Sequence, residues 1–245
     1  MNKLKYILIL IFFYNLNAQE LEKNYFSELE VNMFQSMIDD EINTIFEEGE
    51  AELSENGFIK LPKKVTADKL QKEYEKNEVK ADIEYGGKVI LVTGKVDSIQ
   101  KDIGGRLLVK ITGGSNMFIM PTAQVQKKHI NWVASLNKKD NIKVVCKNDG
   151  FIIGMVSLSE CIPFKSWLEE LNIMNKILSY YKENQNTNNE MANKIGQMIE
   201  FTKILATKID PNKSSCNTST YDSNKCLNEM SKIVAKMEKE KKANK

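Results

Sequence analysis

The side chains that most often bind metals or attack substrates are scarce in this sequence. His129 is the only histidine, and the four cysteines show no CxxC spacing. Zinc sites and acyl-transfer triads need partner side chains at set spacings, which this sequence does not supply. We therefore predict that His129 is a packing residue, that the cysteines are structural, and that the protein binds neither a metal nor a cofactor.

The acidic residues form two kinds of group. The runs DDE at 39–41 and EE at 47–48 lack the alternating oxygen ligands around a glycine that a calcium loop needs, so they predict a solvated helix face. Glu78, Asp82 and Glu84 are carboxylates of the kind that acid–base chemistry uses in pairs. No set of residues predicts catalysis, and we expect the protein not to be an enzyme.

The first residues have the pattern of a signal peptide. Two lysines precede an apolar run, and the polar exit NLNAQ follows. A membrane anchor is the alternative, but the run at 4–16 is shorter than the roughly 20 residues that span a bilayer. We predict cleavage after Ala18, at a site that carries no lipoprotein cysteine. The mature chain should then be periplasmic or secreted, without a transmembrane segment.

An even number of cysteines in an oxidising compartment predicts disulfides. Four cysteines allow three pairings, and proximity favours Cys216 with Cys226, which leaves Cys146 with Cys161. A hairpin turn centred on residues 149–150 would not place Cys146 opposite Cys161, so that bridge would require the strand to bend back.

Composition and charge exclude some classes of protein. The chain has 245 residues, of which 42% are apolar, so it can bury a core and is not wholly disordered. The net charge is +2, with an acidic segment at 20–65 and a mildly basic remainder. This is not the basic footprint of a dedicated nucleic-acid binder.

Apolar periodicity and glycine or proline residues divide the sequence into elements. In chain order we predict an amphipathic helix at 25–46, a linker at 49–64, a helix at 66–81 capped by Thr66, strands at 88–100, 106–112 and 116–120, a helix at 122–136, strands at 141–147 and 151–161 around a turn at 148–150, and helices at 167–181, 191–209 and 227–237. The first helix should bury its stripe against the C-terminal helices or the barrel wall.

The order of these strands and the central helix is that of an OB-fold, a five-stranded Greek-key barrel. The predicted fold class is α+β, with a helix before the barrel, an N-terminal amphipathic helix and a C-terminal helical bundle or coiled-coil-like region. The predicted domains are a signal peptide at 1–18, a helix and linker at 19–65, the OB-fold at 66–163 and the helical region at 164–245.

One motif carries a resemblance to a known family. It consists of NEV at 77–79, AD at 81–82, Tyr85 with GK at 87–88, VxGxV at 92–96, Ile99 and Asp102, followed by the cysteines at 146 and 161. Over residues 66–163 the chain resembles the tRNA anticodon-binding-like OB-fold family of bacterial exported proteins.

The resemblance implies an OB barrel preceded by a helix, and no binding residues are carried over from it. We interpret the acidic residues of its motif, Glu78, Asp82 and Glu84, as ties between that helix and the barrel. They are therefore expected to be structural rather than catalytic.

The OB face supplies the candidate ligand residues, which are Lys95, Lys101, Arg106, Lys110 and Phe118. Binding of single strands needs aromatic side chains for base stacking interleaved with cations. Phe118 is the only aromatic residue of the first three predicted strands, and Arg106 is the only arginine of the chain. We predict a non-enzymatic binding or scaffolding protein with a protein or envelope-glycan partner. The alternative is oligonucleotide binding through the same face.

Overall fold

A computed structural model of the chain describes residues 26–116 and 118–243. The predicted signal peptide lies outside the described residues. The helices, in chain order, are α1 (Glu28–Glu48), α2 (Glu52–Glu55), α3 (Ala67–Lys76), α4 (Glu78–Tyr85), α5 (Ile130–Ser135), α6 (Phe164–Glu170), α7 (Ile173–Asn184), α8 (Glu190–Ala206) and α9 (Ser223–Ala243). The strands are β1 (Lys63–Thr66), β2 (Val89–Lys101), β3 (Leu107–Ile111), β4 (Thr122–Val125), β5 (Asn141–Ile152) and β6 (Met155–Pro163).

The chain divides into two compact units. One unit, the barrel unit, is Lys60–Leu171, and the other, the helical unit, joins the described residues up to Ile59 with those from Asn172 onward. None of the helices within 26–116 and 118–243 has the length and apolar character needed to cross a membrane.

The barrel unit contains a closed five-stranded barrel. Around the barrel the strand order is β2, β3, β4, β6 and β5, and β5 pairs back with β2. β4 and β6 run parallel, while the other neighbouring pairs within the barrel are antiparallel. This is the OB-fold that the sequence predicts, and the fold class is confirmed. β1, which was predicted as part of a linker, adds a parallel strand to the first half of β2.

The long strand β2 changes partners next to Gly94, because Val89–Lys95 pair with β5 and the residues from Val96 onward pair with β3. A Cβ at Gly94 would lie 2.4 Å from Cγ2 of Ile111 and 3.2 Å from the Cβ of Ala67. Only glycine leaves room for both neighbours. The barrel core that results includes Val92, Val109 and Val144, each of them fully buried.

The predicted third strand at 116–120 and the predicted helix at 122–136 are wrong. Residues 116 and 118–120 belong to no strand, and Asn116 Oδ1 accepts the N–H of Phe118 at 2.9 Å. The strand starts only after Pro121, whose carbonyl accepts the N–H of Ile111. The buried Ala123 and Val125 alternate with more exposed residues, as expected for a strand. The α-helix of this segment is confined to α5.

The turn between the last two strands also differs from the prediction. The hairpin turns at Ile153 and Gly154, with φ values of 51° and 80°, because a two-residue loop of this type needs two positive φ angles. Gly150, φ 94°, instead forms a bulge inside β5. The longer hairpin brings Cys146 opposite Cys161, with Cα atoms 4.2 Å apart, and the two are bonded without the strand bending back.

The predicted helix at 66–81 is two helices joined at one residue. Thr66 caps α3 as expected, since its side chain accepts the N–H of Lys69. Asn77 ends α3 in an extended conformation, and its side chain then accepts the N–H of Lys80 to start α4. The helix pair therefore turns at Asn77, directly before the first barrel strand.

In the helical unit, α1 packs against the C-terminal helices α7, α8 and α9. This is the first of the two burial surfaces considered for its apolar stripe, and Met33, Phe34 and Ile45 are fully buried. Ser27 and Glu30 form a capping box at its start. The predicted helix at 167–181 is interrupted at Asn172, φ 48°, which separates α6 from α7.

The second disulfide joins the loop before α9 to the first turn of that helix. Cys216 and Cys226 are bonded and fully buried. Asn32 of α1 donates to the carbonyl of Cys216 at 2.9 Å, so the disulfide loop is hydrogen-bonded to the first helix of its unit.

Candidate ligand-binding face

A polar row crosses the outside of the barrel. Ser98 on β2 is paired with Lys110 on β3, Lys110 with Thr122 on β4, and Thr122 with Ser157 on β6. On β3, β4 and β6 these residues alternate with buried barrel residues, so their side chains point outward, and Ser98 lies on the same side because it is paired with Lys110. Neighbouring strands lie about 4.8 Å apart, so the row offers polar groups at regular spacing over four strands.

A second row lies beside the first on three strands. Gln100 is paired with Leu108, and Leu108 with Gln124. The two amides can donate and accept hydrogen bonds, while Leu108 provides a half-buried apolar contact between them. Together the two rows, which we call the polar face, contain hydroxyls, amides, one leucine and one lysine.

One end of the polar face is the loop between β2 and β3, where Arg106 is already paired. The Asp102 carboxylate accepts the backbone N–H of Arg106 at 2.8 Å and also the guanidinium Nε–H. The backbone hydrogen bond and then the guanidinium lower the pKa of Asp102. The charge of Arg106 is thus largely compensated within its own hairpin.

The other end is the loop between β3 and β4, where the Phe118 side chain is 84% exposed. The loop is fastened to α3, because the Gly114 N–H donates to Asp68 Oδ1 at 3.1 Å. A Cβ at Gly154 would touch Ile119 at 3.8 Å, so the loop also lies beside the β5–β6 turn. Phe118 therefore stands on a supported loop at the edge of the face.

The five predicted face residues do not form one cluster. Lys110 lies in the centre of the polar face, Lys101 and Arg106 lie at one end of β3, and Phe118 lies at the other. Lys95 is farther along β2, where it is paired with Asn141. Their assignment as ligand residues stays a prediction.

The carboxylates of the family motif have structural contacts. Tyr74 of α3 donates to Asp82 Oδ1 of α4 at 2.9 Å and accepts from the Asn148 amide of β5 at 2.8 Å. Burial and then the Asp82 hydrogen bond raise the pKa of Tyr74 to about 12. The Tyr74 ring stacks on Phe151, with centroids 5.5 Å apart. Asp82 therefore helps to hold both helices against the barrel.

The end of α4 is tied to the barrel by two lysines. Lys63 of β1 pairs with Glu84 and lies 4.9 Å above the buried Tyr85 ring. Lys88 donates to the carbonyls of Ile83 and Glu84, at 3.0 and 2.9 Å, and so caps the helix. Glu78, at the start of α4, makes no side-chain hydrogen bond or ion pair within the described part of the chain.

His129 has the environment of a packing residue. Its side chain is 11% exposed, and Nε2 lies 3.6 Å from a carboxylate oxygen of Glu170. Burial, and then the charge of Lys128, lower the pKa of the imidazole, so it is neutral near pH 7. Within the described residues no three histidine, cysteine or acidic side chains come together as a metal site.

Glu41, which the sequence places on a solvated helix face, is buried, and that prediction is wrong. It is 4% exposed and lines a cavity in the helical unit together with Met37, Phe58 and Met198. Its spacing from Met37 and Ile45, four residues in each direction, puts it on the apolar stripe of α1. This spacing is the sequence signal for a buried Glu41, but the adjacent acidic residues favoured the prediction of a solvated face.

Comparison with known proteins decides the family. The family model described as tRNA_anti-like matches residues 1–162, about two thirds of the chain. The chain belongs to the tRNA_anti-like family. The match confirms the resemblance predicted from the motif at 77–102.

No curated protein matches this tRNA_anti-like chain. Among solved structures, one similar chain is a proposed nucleic acid-binding lipoprotein from Klebsiella pneumoniae subsp. pneumoniae. It is 16% identical with a TM-score of 0.35, and the alignment covers 46% of this chain and 97% of that one.

Proposed function

We propose that this tRNA_anti-like protein is an exported, non-enzymatic binding protein that holds an uncharged polar chain, an envelope glycan, on its polar face. The observation that carries the proposal is the composition of that face. Ser98, Gln100, Thr122, Gln124 and Ser157 offer hydroxyls and amides on adjacent strands. Such groups suit the hydroxyls of a sugar chain, and OB-folds bind oligosaccharides as well as oligonucleotides on this side of the barrel.

The charge of the face favours a neutral ligand over a polyanion. Lys110 is the single lysine of the two rows, and Arg106 at the rim is paired with Asp102. Stacking on aromatic rings contributes about 1 to 3 kcal/mol per base in single-strand binders. Phe118 at the edge of the face gives one such ring, which would equally pack against a sugar.

Export is supported by two features of the chain. Residues 1–18 have the signal-peptide pattern, and both cysteine pairs are bonded, with no free cysteine in the described residues. Structural disulfides persist in oxidising compartments.

The test is a binding titration with uncharged oligosaccharides, such as chitotetraose and cellotetraose, and with single-stranded oligothymidylate. We expect saturable binding of a neutral oligosaccharide without its hydrolysis. The double variant Gln100→Ala with Gln124→Ala should weaken that binding about tenfold, since two hydrogen bonds of roughly 0.5 to 1.5 kcal/mol each are lost. The control Asn188→Ala, an exposed amide of the helical unit, should leave it unchanged.

A second candidate function is oligonucleotide binding through the same side of the barrel. Lys95, Lys101 and Lys110 make no ion pair among the described residues, so their charges remain available. Oligothymidylate binding whose affinity falls steeply with salt, and whose salt slope falls by about 0.7 for each lysine replaced by alanine, would establish this function and refute the glycan proposal.

A further inference from the structure

The helical unit contains a cavity of about 60 Å³ whose lining combines several methionine side chains with the carboxylate of Glu41. This exceeds the roughly 10 to 15 Å³ that one water needs and is less than the 150 Å³ of a cavity known to hold benzene. The lining comes from α1, α2, α7 and α8 and from the segment after α2, and includes Met37, Glu41, Phe58, Met191 and Met198. Methionine side chains are flexible and adapt to different apolar shapes.

Glu41 is the buried polar group in this apolar lining. Its Oε2 accepts the backbone N–H of Leu53 in the first turn of α2, at 3.0 Å. The structure gives the other oxygen, Oε1, no hydrogen-bond partner among the described residues. Oε1 is therefore a carboxylate oxygen accessible from a cavity with many apolar side chains, where a ligand that supplies a donor or a positive charge can bind it.

We propose that this cavity binds a small organic cation, a primary alkylamine, with its ammonium group on Glu41 and its alkyl chain among the methionines. The cavity is partly open to solvent, so a short alkyl chain need not lie wholly inside it. An ammonium group offers three donors and a charge opposite to that of the carboxylate. Charge-assisted hydrogen bonds of this kind are roughly twice as strong as neutral ones.

The charges around the site are mainly negative. Asp40 of α1 and Glu52 and Glu55 of α2 surround Glu41 and add to the negative potential there. Lys194 of α8 also lines the cavity, but it pairs with Glu190 at 3.3 Å. α7 contributes Ile177, which is apolar. The field therefore favours a cation over an anion of the same size.

The charge state of Glu41 gives the site a pH dependence. Burial is the largest cause that raises the pKa of Glu41, to about 7. The hydrogen bond from the Leu53 N–H lowers this pKa, and the negative charge of Glu52 raises it. The ammonium of an alkylamine stays protonated over this range. Affinity for the cation should therefore fall about tenfold for each pH unit below 7 and level off above it.

The experiment is a titration of the full chain with n-butylamine, followed by NMR of methyl-labelled methionines. We expect the methyl resonances of Met37, Met191 and Met198 to shift with butylamine concentration at pH 8, while Met33, buried outside the cavity, stays fixed as the folding reference. At pH 5.5 the affinity should be about 30-fold lower. Neutral n-butanol should bind more weakly and without pH dependence.

The matched variant is Glu41→Gln, which keeps an acceptor for the Leu53 N–H and removes the charge. It should weaken butylamine binding at pH 8 by roughly tenfold or more and abolish its pH dependence. Glu48→Gln, at the exposed end of the same helix, should change neither. Absence of cavity shifts, equal binding of butanol, or an unchanged affinity of Glu41→Gln with Met33 in place would each overturn the proposal.

Discussion

The hydrogen-bond network around Tyr74 and Gln71 in the barrel unit differs from the surroundings of Glu41 in the helical unit. In the barrel unit, Asn148 donates to Tyr74, and the fully buried Gln71 both donates to the Gly154 carbonyl and accepts from the Val156 N–H. In the helical unit, Glu41 keeps one oxygen without a protein partner and lies beside a cavity. A satisfied network specifies one geometry, whereas an incomplete one beside free volume leaves room for a ligand. The comparison separates a satisfied network that positions α3 and α4 on the barrel from a site in the helical unit that can accept a ligand.

The variant with the largest expected effect removes the Tyr74 ring, which lies at the centre of the hydrogen-bond network of the barrel unit. Tyr74→Ala should destabilise the barrel unit by about 3 to 5 kcal/mol, because it creates a cavity and leaves the Asn148 amide without its partner. Tyr74→Phe should cost less, about 1 to 3 kcal/mol. Hydrogen exchange of β2 and α1 amides reports each unit separately. An equal loss of protection in α1 would contradict the assignment of the Tyr74 network to the barrel unit.

The disulfides provide a second test. Loss of the Cys146–Cys161 bond in the double alanine variant should cost the barrel unit about 3 kcal/mol, since the bond closes a loop of 15 residues in the unfolded chain. The Cys216–Cys226 bond closes a shorter loop, with a separation of 10 residues, and its loss should lower the stability of the helical unit somewhat less. Denaturant titrations followed by probes in each unit measure both effects.

The pH dependence of stability should distinguish the units. The pKa of Glu41 is raised from 4.5 to about 7, so the folded helical unit holds a proton that the unfolded chain releases. Stability should therefore fall as pH rises from about 4.5 through 7, by on the order of 2 to 3 kcal/mol, and remain lower above that. Glu41→Gln should remove this slope in denaturant unfolding, while Glu48→Gln should preserve it.

The smallest expected effect concerns the exposed ion pair at the rim of the polar face. Arg106→Ala should change the denaturant midpoint of the barrel unit least of these variants, because solvent screens exposed pairs. A loss as large as that of Tyr74→Phe would mean that the β2–β3 hairpin depends on this pair more than its exposure indicates.

The parts of the fold that were predictable are those with local signals. The β-branched run of β2, the Thr66 cap and the apolar stripe of α1 each identify an element from adjacent residues. β1 has no such signal, since its pairing with β2 joins segments more than 20 residues apart. Pro121 was predicted to end a strand, and that prediction is wrong, because the strand begins directly after it.

Some predictions were wrong because two sequence signals at the same place favoured different structures. The dipeptide Asp149-Gly150 is a strong turn signal, yet Gly150 uses its positive φ in a bulge, and the true turn puts the β-branched Ile153 at φ 51°. The polar face was only partly predictable, because charge and aromaticity identify lysines and phenylalanine but not the serines, threonine and glutamines that the barrel register aligns. Glu41 was misassigned because two acidic neighbours hid its place on the stripe.

The bond between Cys146 and Cys161 also determines how the barrel responds to a protease. Ile153, at the tip of the β5–β6 hairpin, is 89% exposed, and the disulfide spans the base of that hairpin. A single cut at this tip leaves two chain segments that are still linked covalently through the cysteines. On a denaturing gel the nicked protein would migrate as one species until a reducing agent separates its fragments.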